Sequence, residues 1–186
     1  MVLALHAELA GHPANPACFT QRIDVTPARS ATGGLTLGYA VRGRISQLRI
    51  PTPHAPASAA TLWRHTCCEI FIGTASDPSY REFNFSPSGQ WASYDFFDYR
   101  QRAPAAPHCP PPQIQVSCME DLLQLDVMLA PEALPPADAL HIALAVVLEA
   151  DDGSLGYWAL AHPAGPADFH QRGGFMLNLG PAGFHS

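Results

Sequence analysis

Proline sets the strongest limit on how this chain can fold. The sequence holds 19 prolines in 186 residues, about twice the usual frequency of roughly 5%. Many of them fall in clusters, at residues 51–56, 104–112, 131–136 and 163–166. Because proline lacks an N–H group and interrupts helices, each cluster predicts a loop, and long helices do not fit between the clusters.

The segments between these loops have the alternating pattern of β-strands. Apolar and polar residues alternate over short stretches that end in turn-forming residues, which is typical of half-buried strands. We predict about ten strands, at residues 2–9, 35–41, 48–50, 68–72, 80–85, 90–97, 114–118, 123–129, 140–149, 156–161 and 175–179. Such a series predicts an all-β fold, an antiparallel β-sandwich of jelly-roll type that forms a single domain over residues 1–186.

Residues 140–149 allow two interpretations. The segment is almost wholly apolar, and Asp138 stands where it could cap a helix. However, Leu140, Ile142 and Leu144 also fit a period of two, and loop signals flank both ends. We predict a central strand that is buried on both faces, with a helix as the alternative.

Charge and cysteine content exclude several classes of function. The formal charge is −6, lysine is absent and the arginines are scattered, so no basic face for nucleic acid or an anionic membrane is expected. The five cysteines are an odd number and include no CxxC pair, which favours free thiols over disulfides or structural zinc. The N-terminus lacks the features of a secretion signal and no long apolar run occurs, so a cytoplasmic location is expected.

The most informative stretch for function is residues 61–97. Two of the three tryptophans, Trp63 and Trp91, bracket it, and Glu69, Glu82 and Asn84 alternate with aromatic and branched residues. Polar groups interleaved with aromatic ones on strands indicate a sheet that binds a ligand as well as packing. A sheet with one solvated face is the simpler alternative.

Strand parity assigns faces within this stretch. Phe83 and Phe85 should face the core, which places Glu82 and Asn84 on the opposite face. Two side chains of the neighbouring strands join that face if the register allows it. The predicted converging set is therefore Glu69, Glu82, Asn84 and Trp91.

Several chemistries fit these residues. Trp63 would either stack on a flat ligand face or cover the core, and Arg64 would either bind a ligand or, like Arg81, pair with a glutamate of the sheet. Glu69 and Glu82 could be the carboxyl pair of a glycosidase, or they could be hydrogen-bonded residues of the sheet. No nucleophile elbow, HExxH, Walker loop or dinucleotide fingerprint occurs.

The histidines and methionines raise the question of metals and haem. His162 and His170 match no zinc spacing, so no metal site is predicted. Met119, Met128 and Met176 could act as axial haem ligands together with a histidine, or they could fill the core.

Three segments resemble a known family. LWRHTCCEIFI, YREFNFSPSGQWASYDF and YWALAHPAGPADFHQRGGF, which together run in order from Leu62 to about Phe175, resemble the bacterial DOMON-like proteins related to type-9 carbohydrate-binding modules. The resemblance implies a jelly-roll β-sandwich with a ligand site on one sheet. Related members bind sugar ends between tryptophans, often with structural calcium, or bind haem b. This chain departs from them at Arg64 and His65, where they have acidic residues.

By motif position, the resemblance implies ligand-binding roles for Trp63, Glu69, Glu82, Asn84 and Trp91, with Trp158 contributing from a separate segment. The expected function is non-catalytic binding of a carbohydrate or a similar small polar ligand. The alternatives are a haem-binding electron-transfer domain, a hydrolase using Glu69 and Glu82, and a sandwich that binds a protein partner. No cofactor is expected from the residues themselves, whereas the resemblance leaves haem b and calcium open.

Overall fold

A computed structural model describes residues 5–15, 17, 19–55, 57–104 and 109–181. This part of the chain forms twelve strands and four single-turn 3₁₀ helices, and it contains no α-helix. The strands are β1 Ala7–Gly11, β2 Thr20–Arg29, β3 Leu35–Gly43, β4 Cys67–Gly73, β5 Tyr80–Phe85, β6 Trp91–Asp98, β7 Gln101–Arg102, β8 Gln113–Cys118, β9 Leu122–Leu129, β10 Leu140–Glu149, β11 Leu155–Ala159 and β12 Leu177–Leu179. The 3₁₀ helices are Ile45–Gln47, Leu62–Arg64, Pro131–Ala133 and Arg172–Gly174. Among the described residues, no helix has the length and apolar character needed to cross a bilayer.

The strands form one antiparallel ribbon that bends back on itself. Its order is β7-β6-β5-β4-β10-β11-β1-β2-β3-β9-β8, with β12 also paired to β10. The short strand β1 joins the two layers, because Ala10 and Gly11 pair with β11 while Ala7 to Leu9 pair with β2. The predicted antiparallel β-sandwich is confirmed, with twelve strands in place of about ten.

The core lies between these two layers. Side chains that alternate inward along both layers are almost completely removed from water, which is the main source of stability for such a fold. Residues of this core with at most 1% exposure include Ile23, Tyr39 and Leu125 from one layer and Ile70, Phe83 and Leu144 from the other. The Tyr39 hydroxyl also crosses between the layers and donates a hydrogen bond to the Glu69 carbonyl oxygen over 2.9 Å.

The predicted central strand is confirmed as β10. Nine of its ten residues are buried, with only His141 half-buried, and β4 pairs with it along its length while β11 and β12 share its other edge. Full burial on both faces explains why its sequence is almost wholly apolar. The helix alternative is wrong, since all ten residues from Leu140 to Glu149 belong to this strand.

Other predicted elements need correction. Strand β2 is not among the predicted strands, and Pro27 within it pairs with Leu37 of β3. The proline is tolerated because β1 pairs β2 only as far as Val25, so one side of β2 is an edge at Pro27. The predicted strand at 48–50 is reduced to a single bridge between Leu48 and Ala150. The predicted strand at 2–9 begins only at Ala7, and residues 1–4 lie outside the described part.

The outward face of the layer that contains β4, β5 and β10 is itself covered. We call residues 160–176, which connect β11 to β12, the return loop. Phe169 and Phe175 of this loop pack on a second apolar cluster on that face, formed by Phe71, Tyr80, Phe96, Ala143, Ala145 and Ala159. This covering turns part of the outer face into a walled cavity.

Candidate functional site

A cavity of about 830 Å³ lies on the outer face, between the sheet and the loops that cover it. Its walls come from four parts of the chain: the segment before β4, the sheet itself, the β6–β7 hairpin and the return loop. The lining residues are Ala60, Thr61, Trp63, Arg64, Glu69, Glu82, Tyr94, Phe96, Arg100, Arg102, Val147, Leu155, Tyr157, Ala167, Phe169 and His170. Aromatic side chains and polar groups are therefore mixed around one space, as in most small-molecule sites.

Strand register brings the polar floor of the cavity together. Glu69 of β4 lies opposite Asn84 of β5, and Glu82 lies opposite Tyr94 of β6. Because residues on paired strands point to the same face when they are opposite one another, Glu69 and Glu82 are diagonal neighbours on the outer face. The prediction that Glu69, Glu82 and Asn84 lie on the face of the sheet opposite to Phe83 and Phe85 is confirmed.

The two carboxyl groups are deeply placed and chemically unusual. Glu69 is 3% exposed and Glu82 is 5% exposed. Burial raises the pKa of Glu82 to about 7, although the hydrogen bond from Asn84 and the nearby arginine charges oppose this rise. Burial, and then the charge of Glu82, raise the pKa of Glu69 well above its ordinary value. Both carboxyl groups therefore hold their protons to a higher pH than an exposed glutamate does.

Hydrogen bonding on the floor is incomplete. The Asn84 side-chain N–H donates to Glu82 Oε1 over 2.7 Å, which holds the Glu82 carboxyl in place. Glu69 Oε1 and Asn84 Oδ1 are buried without a hydrogen-bond partner among the described residues. Buried polar atoms normally have partners, so these two atoms leave hydrogen-bonding capacity unused at and beneath the floor.

His170 forms the neutral part of the wall. The Tyr80 hydroxyl accepts a hydrogen bond from the Arg100 backbone N–H over 3.1 Å, so its proton is free to be donated to His170 Nδ1 at 2.8 Å. The ring proton of His170 then lies on Nε2, which faces Glu82 Oε2 at 3.8 Å. Burial, followed by the charge of Arg100, lowers the His170 pKa to about 4, so the ring is uncharged at neutral pH.

One carboxylate fixes the return loop above the sheet. Asp168 accepts hydrogen bonds from the Tyr99 hydroxyl at 2.5 Å and from the Arg100 guanidinium at 2.8 Å. We call this set of contacts the Asp168 clasp. It joins the tip of the β6–β7 hairpin to the return loop, and it thereby positions Phe169 and His170, which follow Asp168 directly in the chain.

Two arginines stack on aromatic rings of the cavity. Arg64 Cζ lies 5.0 Å from the ring centre of Trp63, and Arg102 Cζ lies 4.0 Å from that of Tyr94. Trp63 is 45% exposed, so it forms part of the open wall and not a lid of the core. The alternative that arginines pair with the floor glutamates is wrong for Arg81, whose guanidinium bonds Asp95 at 2.5 Å.

Four of the seven predicted site residues line the cavity, namely Trp63, Arg64, Glu69 and Glu82. Asn84 lies beneath it, fully buried and bonded to Glu82. The two remaining tryptophans lie elsewhere.

Trp91 was expected to converge with the glutamates, and that prediction is wrong. The register of the β5–β6 hairpin places Trp91 opposite Phe85, so Trp91 packs against the core between the layers. Trp158 likewise lies opposite Val146 and packs against the same core. Its neighbour Tyr157 points to the outer face and lines the cavity instead.

Sequence reasoning missed several residues of the wall. Tyr94 and Phe96 had been assigned to the face away from the glutamates, because the hairpin register could not be obtained from alternation alone. The compact turn after Phe85 sets this register. In that turn Gly89 donates its N–H to the Ser86 carbonyl oxygen, which fixes the residues of β5 and β6 that lie opposite one another. The return loop was recognisable as a distinctive motif, but its contribution of Phe169 and His170 depends on the Asp168 clasp.

The donor groups do not fit the haem or calcium implied by the resemblance. Met119, Met128 and Met176 are at least half exposed, and none of them lines the cavity. Across the described ranges, no group of three or more His, Cys, Asp or Glu side chains is placed to hold a metal ion. His65, at one of the positions that departs from the family pattern, pairs with Glu149 at 2.7 Å.

Comparison with known proteins gives a fold likeness. The sequence matches no family model, and it matches none of the curated proteins. Among known structures, a protein from Bacteroides uniformis proposed to bind carbohydrate is similar, with a TM-score of 0.64, 14% identity, and coverage of 95% of this chain and 86% of that chain.

A family 9 carbohydrate-binding module from Caldicellulosiruptor kristjanssonii in complex with glucose is also similar, with a TM-score of 0.60 and 10% identity. The aligned region covers 99% of this chain and 84% of the module's chain. The cellotriose complex of such a module from the same organism has a TM-score of 0.63 and 10% identity, with 98% and 84% covered. At these identities the likeness establishes the β-sandwich fold.

Proposed function

We propose that this chain is a non-catalytic carbohydrate-binding domain that takes its sugar in the outer-face cavity. The observation that carries the proposal is the mixture in one cavity of exposed aromatic wall and buried polar floor. The family 9 carbohydrate-binding modules with glucose and with cellotriose share the fold, which supports the same class of ligand.

The aromatic wall suits the apolar faces of a sugar ring. Trp63 is the only one of the three tryptophans that lines the cavity within the described chain, and Tyr157 and Phe169 line it as well. The rings of Tyr157 and Phe169 pack edge to face with their centres 6.0 Å apart. Sugar rings carry C–H groups on their faces, and contact with aromatic rings removes this apolar surface from water.

The floor suits the hydroxyl groups at the edge of the same ring. Burial raises the pKa of the Glu69 carboxyl and so favours its protonated form, which has both a donor and an acceptor, and its Oε1 atom has no partner in the described structure. Glu82 presents a second carboxyl beside it, and His170 presents an Nε2–H donor. A sugar hydroxyl both donates and accepts, so it can satisfy such groups, whereas an apolar ligand would leave them unpaired.

Binding without cleavage fits the placement of the carboxyl groups. A glycosidase places its two carboxyls on either side of the bond that it breaks. Here Glu69 and Glu82 are diagonal neighbours on one sheet, and both contribute to the floor of the cavity. The buried Asn84 amide bonded to Glu82 further favours a role in holding the ligand.

Titration calorimetry with a panel of mono- and oligosaccharides tests the proposal. We expect at least one saccharide to bind, and Trp63→Ala to weaken its binding by about tenfold or more, as for an aromatic residue at the centre of a contact. Because Trp63 is 45% exposed, this variant should still fold. The matched control is Phe97→Ala, since Phe97 is 55% exposed and does not line the cavity.

The absence of heat with every saccharide would overturn the proposal. So would a saccharide whose affinity drops equally in the Trp63→Ala and Phe97→Ala variants.

A further inference from the structure

Positive charge gathers at the cavity although the whole chain is acidic. The sequence has only ten lysine and arginine residues in total, and its formal charge is −6. Three arginines nevertheless line this one cavity, at positions 64, 100 and 102. Arg100 is neutralised by the Asp168 clasp at 2.8 Å. Within the described residues, neither Arg64 nor Arg102 has a carboxylate partner at ion-pair distance.

Both of these arginines are held in place by aromatic rings. Arg64 lies over Trp63 at 5.0 Å and Arg102 lies over Tyr94 at 4.0 Å. A guanidinium group over a ring still has N–H groups directed away from that ring, and these stay available to a ligand. Such planar donors match the two oxygens of a carboxylate or phosphate, which they bind in pairs.

The other titratable groups of the cavity cancel only part of this charge. Burial raises the pKa of the Glu69 carboxyl well above its ordinary value, which disfavours its negative charge, and the low pKa of His170, about 4, leaves its ring neutral. Glu82 is about half ionised at pH 7. Arg102 and Arg100 both act to lower the Glu82 pKa, which places their charges close to the floor of the cavity and not at a distant surface.

We propose that the cavity selects an anionic saccharide, one that carries a carboxylate or phosphate group recognised by the guanidinium groups of Arg64 and Arg102. The inference rests on the proposed function, and it narrows the class of ligand from carbohydrates in general to acidic carbohydrates. The sugar ring contacts the aromatic wall and the floor, while its anionic group replaces the missing carboxylate partners of the two arginines. A neutral sugar would leave both guanidinium groups unpaired.

Matched ligands separate charge from ring shape. Calorimetry at low salt compares glucuronate with its methyl ester, which keeps the ring and removes the charge, and glucose 6-phosphate with glucose. We expect at least one anion to bind about tenfold or more tightly than its neutral counterpart, as for a charge-assisted hydrogen-bonded pair. The preference should shrink as salt is raised. The two anions show whether a carboxylate or a phosphate is preferred.

Variants then assign the preference to residues. Arg64→Gln and Arg102→Gln should each reduce the anion's advantage several-fold while the neutral sugar is less affected. Both positions are exposed, so the variants should fold. Arg42→Gln is the matched control, because Arg42 is an exposed arginine of β3 that does not line the cavity.

Each outcome has a distinct meaning. An anion preference that is lost in both cavity variants and kept in the Arg42→Gln control supports the inference. Equal binding of charged and neutral sugars overturns the inference and leaves the proposed function intact. A preference that survives both cavity variants also overturns it. If no saccharide binds, the proposed function fails and the inference fails with it.

Discussion

The buried Glu82 carboxyl should make this protein less stable as the pH rises, and replacing it with glutamine should remove that effect. Glu82 is 5% exposed, and its pKa rises from 4.5 to about 7 in the folded protein. The unfolded chain releases the proton near pH 4.5, whereas the folded protein keeps it up to about pH 7. The free energy of unfolding therefore falls as pH rises between these values.

The size of the effect follows from the pKa difference. Each unit of difference corresponds to about 1.4 kcal/mol, so ionised Glu82 destabilises the folded state by about 3 kcal/mol above pH 7. Glutamine has nearly the same shape and cannot ionise. Its Oε1 atom can still accept the 2.7 Å hydrogen bond from Asn84. We therefore expect Glu82→Gln to match the wild type near pH 4.5 and to be about 3 kcal/mol more stable at pH 8.

Urea unfolding followed by circular dichroism at several pH values measures this difference. Comparison of variant with wild type at each pH cancels the contributions of the titrating groups that do not interact with Glu82. Glu120→Gln serves as the control for the glutamate-to-glutamine exchange itself, since Glu120 is exposed. Parallel curves for Glu82→Gln and wild type across pH 4.5–8 would refute the reasoning.

Two further predictions concern packing and the return loop. A Cβ on Gly156 would lie 2.6 Å from the Ala17 Cβ, whereas one on Gly173 would meet nothing within 4 Å. Thermal or urea unfolding should therefore show Gly156→Ala destabilised by about 1–3 kcal/mol and Gly173→Ala changed by less than about 0.5 kcal/mol, and equal losses would contradict this packing. Asp168→Asn weakens the Asp168 clasp, whose partly exposed ion pair contributes less than about 1 kcal/mol to global stability. Hydrogen exchange should show faster exchange of the return-loop amides in that variant, with unchanged protection of the core strands. Return-loop protection equal to that of the wild type would argue against the clasp.

The fold could be predicted well from the sequence because its signals are local. Proline clusters and period-two alternation identified most strands, and β10 was recognisable from its length and flanking loops. Strand β2 was missed for a physical reason, because Pro27 is acceptable only where β1 has ended and leaves an edge. That condition depends on another strand and cannot be read within the segment itself.

The site was harder to predict because it depends on register. Alternation along β4 and β5 correctly grouped Glu69, Glu82 and Asn84. Alternation along β6 gave two equivalent choices, and the wrong one placed Trp91 in the site. The pairing of Phe85 with Trp91 turns Trp91 inward and Tyr94 outward, since a shift of one residue reverses every side chain of a strand.

Charge at the cavity could not be inferred from the arginine positions in the sequence. Arg64 and Arg102 are far apart in the chain, and they border the same cavity only because β6 and β7 form a hairpin beside β5. One alternative from the sequence was that Arg64 and Arg81 pair with the glutamates of the sheet. In the structure, neither Arg64 nor Arg102 has a carboxylate partner at ion-pair distance among the described residues, so both are available to a ligand.

The most direct test of the account is a crystal structure of the protein with the saccharide that binds best in the calorimetric panel. The account predicts the sugar ring in the outer-face cavity, in contact with Trp63, with a hydroxyl group within about 3.2 Å of a Glu69 or Glu82 oxygen. A saccharide bound at any other surface, with this cavity filled only by solvent, would contradict it.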